Sequence, residues 1–125
     1  MLELLVAATV MTMAVLGSLS AHAGSQNLTR SARETGRAVS DLQAAMEGLL
    51  LVPLEDVVDA AGPWAPGAPV AEFEGLHLRG ERIVTTYPNY DGGTVPDPLE
   101  VVLTVTWLDP RGGTRTLSLS TLKTQ

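Results

Sequence analysis

Apolar positions follow two patterns along this 125-residue chain. From Leu4 to Leu16 every residue is apolar except Thr9, Thr12 and small alanines, and no residue between Glu3 and Arg30 carries a fixed charge. A helix rising about 1.5 Å per residue needs roughly 20 residues to cross a bilayer core. Leu4 to Ala23 meets that length, with Ser18, Ser20 and His22 weakening its second half. From Leu28 onward, apolar or small residues recur at Leu28, Ala32, Thr35, Val39, Leu42, Met46 and Leu49. The gaps alternate between four and three, the spacing of one helical stripe. Arg30, Arg33, Glu34, Arg37, Asp41, Gln43 and Glu47 take the other faces, with Arg37 and Asp41 spaced as an i,i+4 ion pair. Pro53 opposes continuation, so the pattern predicts one helix from about Leu2 to about Leu51. The same spacing fits a coiled coil, but the run is short and strands downstream offer a closer partner.

After Pro53 the periodicity changes. Pro63, Pro66, Pro69, Gly62 and Gly67 mark an irregular connection, preceded by a helical turn within Leu54 to Ala60. Phe73, Leu76 and Leu78 supply apolar anchors for a loop. Leu99, Val101, Leu103, Val105 and Trp107 alternate with Glu100, Thr104 and Thr106, which is period two with one buried face. The turn Asp109-Pro110-Arg111-Gly112-Gly113 leads into a second strand, Thr114 to Leu122, with Leu117 and Leu119 inward. Arg82 to Tyr87 is the third strand. The predicted class is α+β: a long amino-terminal helix with a small antiparallel sheet of three to four strands on its carboxyl half. Its predicted core is Leu28, Val39, Leu42, Met46, Leu49, Val101, Leu103, Val105, Trp107, Leu117 and Leu119. Residues 1–24 form an apolar segment and residues 25–125 a globular domain.

Composition narrows the function classes. The absence of cysteine excludes disulfides, thiolate metal sites and a cysteine nucleophile. A formal charge of -6, with few basic residues, argues against a nucleic-acid backbone reader. No phosphate-binding loop, dinucleotide fingerprint, helical His-Glu-x-x-His or serine elbow occurs, so no enzyme and no cofactor is expected. His77 reads as a surface or half-buried loop histidine, and His22 as a marker of an interface or a membrane edge. Asn89, Asp91 and Asp97 are hard oxygen donors on one loop, the material of a calcium site, although Asp-Gly-Gly and Pro-Asp-Pro are also ordinary turn chemistry.

Three readings of the amino-terminal run compete. Ala21-His22-Ala23 imitates the cleavage site of a secretory signal, but the run is preceded by Glu3 and no basic residue. A plain single-span anchor conflicts with its flanking charge, because Arg30, Arg33 and Arg37 all lie after the span and by the positive-inside rule would put the carboxyl side in the cytoplasm. An assembly helix, in lipid at first and against other copies later, accommodates the acid, which needs a partner in an apolar setting.

Met1-Leu2-Glu3-Leu4-Leu5-Val6-Ala7 resembles the amino terminus of mature type IV pilins and type II secretion pseudopilins. In that family a glutamate is followed by a Leu-Leu/Val-Ala run, here Glu3 and then Leu4, Leu5, Val6 and Ala7. The carboxyl strands look most like V-type minor pilins and I-type pseudopilins. The resemblance implies a spine helix carrying an antiparallel sheet, and a basic leader ending in glycine that a prepilin peptidase removes. It further implies insertion in a bacterial inner membrane with the carboxyl domain in the periplasm. Assembly into a filament with other pilin or pseudopilin subunits would follow, Glu3 pairing with a neighbour's amino terminus. The alternative is a membrane-anchored or secreted binding module whose sheet holds a ligand.

Overall fold

A computed structural model describes residues 1–125. The elements in order are helix α1 (Leu2–Leu50), a short helix α2 (Leu54–Val57), a 3-10 turn at Ala71–Phe73, and strands β1 (Arg82–Thr86), β2 (Leu99–Leu108) and β3 (Thr114–Lys123). The chain forms two compact units, Met1–Thr35 and Gly36–Gln125, and α1 contributes to both. The layout is α+β, a long amino-terminal helix and a three-stranded antiparallel sheet packed against it.

In the second unit α1 buries Ala38, Asp41, Leu42, Ala45, Met46 and Leu49. The stripe is therefore rotated from the one the larger residues mark. Ala38 and Ala45 are fully buried, whereas Val39 is 36% exposed. A helix approaches a sheet most closely over its small side chains, and the large ones spread to the flanks. Leu28, assigned to the core by periodicity, is 74% exposed and lies in the first unit. The boundary accordingly falls after Thr35, later than the residue 24 expected from composition. Near the helix end Gly48 faces Trp64, and a Cβ built there would stand 3.3 Å from the indole Cζ2. The absent side chain is what lets that ring settle against the helix.

The strand order is β1-β2-β3, antiparallel throughout. Leu99, Val101, Leu103, Val105 and Trp107 of β2 are at most 2% exposed, as the alternation requires, and Ile83 of β1 joins them. Register pairs Val105 with Ile83 and Leu117, and Leu103 with Leu119, so both β3 leucines face the core side. They are nevertheless at its margin: Leu117 is half-buried and Leu119 is 37% exposed. β3 is the edge strand, and the buried helical stripe meets the sheet centred on β2.

The connection between α2 and β1 is ordered by hydrogen bonds as well as by apolar contact. Gly67 N donates to Thr85 O and Val70 N to Ile83 O, both at 2.8 Å, so this segment lies along the outer edge of β1. The Tyr87 hydroxyl donates to Trp64 O at 2.8 Å and lies 3.1 Å from Val57 O, fastening α2 and the proline-rich segment to the end of β1. Phe73 and Leu78 are buried anchors, but Leu76 is 49% exposed.

Candidate functional site

Two features stand apart from ordinary packing. The first is the surface of the Met1–Thr35 unit. Eleven large apolar side chains between Met1 and Leu19 are more than half exposed, including Leu4, Leu5 and Val6 of the pilin-like spelling. At about 1.5–3 kcal/mol for covering each such side chain, tens of kcal/mol rest on what surrounds this surface. That exceeds the ~5–15 kcal/mol by which a whole domain is typically stable.

Polar groups within this segment are satisfied locally. Thr9 Oγ1 donates to Leu5 O at 2.8 Å and Thr12 Oγ1 to Ala8 O at 2.7 Å. Such back-bonding removes the cost of an unpaired hydroxyl in an apolar medium. Glu3 sits in the first helical turn, where the helix dipole favours an anion. Together with Leu2, Val6, Ala7, Val10, Met11 and Ala14 it lines a shallow apolar hollow, formed because the two alanines are small. His22 and Gln26 hydrogen-bond one turn apart at 3.1 Å, beyond the apolar block. The helix is long and apolar enough to cross a membrane, and none of its most apolar stretch is buried.

The second feature is a buried acid pair in the Gly36–Gln125 unit. Asp41 does not pair with Arg37, as helix spacing predicts. It lies on the core side of α1 between Ala38 and Leu42, is 5% exposed, and receives His77 Nδ1–H at 2.8 Å and 3.0 Å from its two oxygens. Arg37 remains exposed. Glu81, 2% exposed, accepts the His77 and Leu78 amides on Oε2 at 2.9 Å and 3.0 Å, while Oε1 is buried without a donor. The chain wraps around this carboxyl because Gly75 and Gly80 adopt positive φ, 64° and 63°, and Gly75 N closes the loop on Glu81 O at 3.0 Å.

The sequence pattern does not reveal this cluster. A stripe through Val39 leaves Asp41 on a solvent-facing side of the helix. Drawn through Ala38, Leu42, Ala45 and Leu49, it would have put Asp41 at the core margin. Nothing local marks Glu81, whose burial depends on the loop fold.

The loop oxygen donors have structural employment. Asn89 Oδ1 accepts Glu100 N at 2.8 Å, its Nδ2 donates to Pro98 O at 3.0 Å, and Asp91 Oδ1 accepts Gly93 N at 3.1 Å. Asn89 is thus a loop-closing residue and Asp91 a turn residue, and no group of three or more His, Asp or Glu side chains, Asp97 included, is arranged to hold a metal. No protein-family model, curated protein or solved structure matches the chain.

Proposed function

We propose that the protein is a pilin-like assembly subunit, a minor pilin or pseudopilin. In this reading its apolar helix resides in the inner membrane and is then transferred into a filament of related subunits, with the sheet unit on the periplasmic side. One observation carries the reading: an uncharged, apolar helical surface exposed on all sides from Leu4 to Leu19, with a single acid, Glu3, at its edge. A surface apolar all round suits both lipid and a ring of neighbouring helices. A strictly one-sided stripe would suit only a fixed partner within the fold. The spelling from Met1 to Ala7 supplies the family, and the α+β layout agrees with it.

The mechanism is exchange of one apolar environment for another. Lipid chains around Leu4, Leu5 and Val6 give way to side chains of other subunits, with little net change in apolar burial, so packing and polar pairing decide the register. At the membrane edge the Glu3 carboxylate reaches the interface. Inside a filament it must meet a positive charge, such as a neighbour's amino terminus, because an unpaired buried charge is costly.

The test is co-purification with sheared filaments after expression of the full chain, with its processed native terminus, in a host that makes them. Glu3→Ala and Glu3→Gln should insert in the membrane normally and be depleted from filaments. Normal incorporation of both would overturn the role of Glu3. A protein recovered as a soluble periplasmic monomer would support the binding-module reading instead.

A further inference from the structure

We propose that Asp41 and Glu81 hold one proton between them, and that its loss releases the loop of residues 75–81 from helix α1, making the contact a pH-sensitive latch. The geometry favours a proton here. Asp41 and Glu81 are both buried and both bound to His77, Asp41 to its ring and Glu81 to its amide, and two ionised carboxylates have only acceptors to offer each other. A hydrogen on one of them gives the cluster the donor it lacks. Glu81 Oε1 is the oxygen without a donor, and it is fully buried. A proton there turns it into a donor to Asp41.

With that proton in place every group is served. Glu81 Oε1–H donates to Asp41, Asp41 accepts His77 Nδ1–H, and Glu81 Oε2 accepts the His77 and Leu78 amides. The ring runs from the helix to the loop and back, and closes only while it holds the proton. Without it two negative charges face each other in a buried site, with one half-exposed histidine against them.

The remaining surroundings do not supply a compensating charge. From α1 the facing group is Asp41, since Arg37, one turn earlier, is exposed. On the loop side Arg79 is exposed, and Arg82 is drawn 3.7 Å from Glu74. β2 brings Trp107 and Leu108 to the crevice beside Glu81, neither of which titrates.

The direction of the response follows. Burial, with Asp41 adding to it, pushes the Glu81 carboxyl above its ordinary 4.5, against the pull of the two amides. The folded state favours the protonated form, so this stabilisation is complete below pH 4.5. It is lost as the pH climbs through the raised folded value. The loop should tighten on acidification, opposite to a salt-bridged carboxylate. It stays tethered at its far side, where Leu108 N donates to Arg79 O at 2.9 Å, so release is a local opening.

Hydrogen–deuterium exchange on the full chain in neutral detergent micelles tests the latch. Protection of the 75–81 amides, corrected for intrinsic exchange, should be greatest below pH 4.5 and fall severalfold as the pH is raised through the higher folded value of Glu81. Glu81→Gln should flatten that profile and keep the loop protected, because its amide donates to Asp41 while its oxygen still accepts the two backbone amides. Should that variant fail to fold, Asp41→Asn makes the same prediction, with its amide donating to Glu81. His77→Gln should retain the slope. Wild-type protection independent of pH would overturn the proposal. So would a wild-type profile in Glu81→Gln or Asp41→Asn, or a slope lost in His77→Gln alone.

Discussion

Lys123 Nζ, on the last residue of β3, donates to the carbonyl oxygen of Leu50, the last residue of α1, at 2.9 Å. The last turn of α1 contains no basic residue of its own. The cation that a helix carboxyl end favours therefore arrives from a strand 73 positions away in sequence. Lys123 is 7% exposed, so its ammonium is held by this contact in a nearly dry setting.

Replacing Lys123 with methionine keeps the packing stem and removes the charged donor. The expected loss is about 1.5–3 kcal/mol, the range for a hydrogen bond to a charged group. Thermal melts of the full chain in detergent, followed by the near-ultraviolet signal of Trp64 and Trp107, would measure it. An unchanged midpoint would mean that Leu50 O is served equally well by water.

Gly36 and Gly48 should respond in opposite ways to alanine. Both lie inside α1, where alanine is favoured over glycine by up to about 1 kcal/mol. A Cβ at Gly36 meets open space, so Gly36→Ala should raise stability by about that amount. At Gly48 it would stand 3.3 Å from the Trp64 ring, which is 7% exposed and has little room to retreat. Gly48→Ala should show no gain or a net loss. Parallel melting curves of the two variants decide the matter, and equal gains would show that Trp64 shifts freely.

Tyr87 should be unusually resistant to base. Burial raises its phenol above the ordinary 10.0, and the hydroxyl is committed to Trp64 O, with Val57 O close by. Stabilisation from the protonated form is fully present below pH 10 and is lost as the pH rises through the higher folded value. In an alkaline titration followed by tyrosinate absorbance, the Tyr87 signal should appear only as the Gly36–Gln125 unit unfolds. Tyr87→Phe should abolish that late component and cost about 1–2 kcal/mol at neutral pH. A Tyr87 signal that rises at ordinary pH with the unit still folded would contradict the burial.

How much of this was legible in the sequence depends on where the determining contacts lie. β2 was readable because Leu99 to Trp107 alternates apolar and polar positions, broken only by Val102, and both faces are decided within the strand. α1 was readable from its apolar run and from Pro53. The rotation of its stripe was not, because Ala38 and Ala45 carry too little hydrophobicity to outvote Val39, although they mark the closest approach to the sheet. Leu28 has the correct period, but it lies outside the Gly36–Gln125 unit and is exposed. The Asp41–His77 contact joins residues 36 positions apart through a loop set by two left-handed glycines, a relation that no local pattern encodes. The exposed amino-terminal surface was the most legible feature, since exclusion of charge is a property of composition alone.

The two sides of the sheet are unequal. Residues 67–70 lie against β1 and consume hydrogen-bonding groups on its outer side. β3 has β2 on one side and no strand on the other. Ten residues without proline or glycine, Thr114–Lys123, therefore form an open border of the sheet. The sheet is directional: growth by an incoming strand is blocked at one border and templated at the other. Any β-type contact with another chain would enter beside Thr116, Ser118 and Ser120, with Leu117 and Leu119 on the core-side face to set its register.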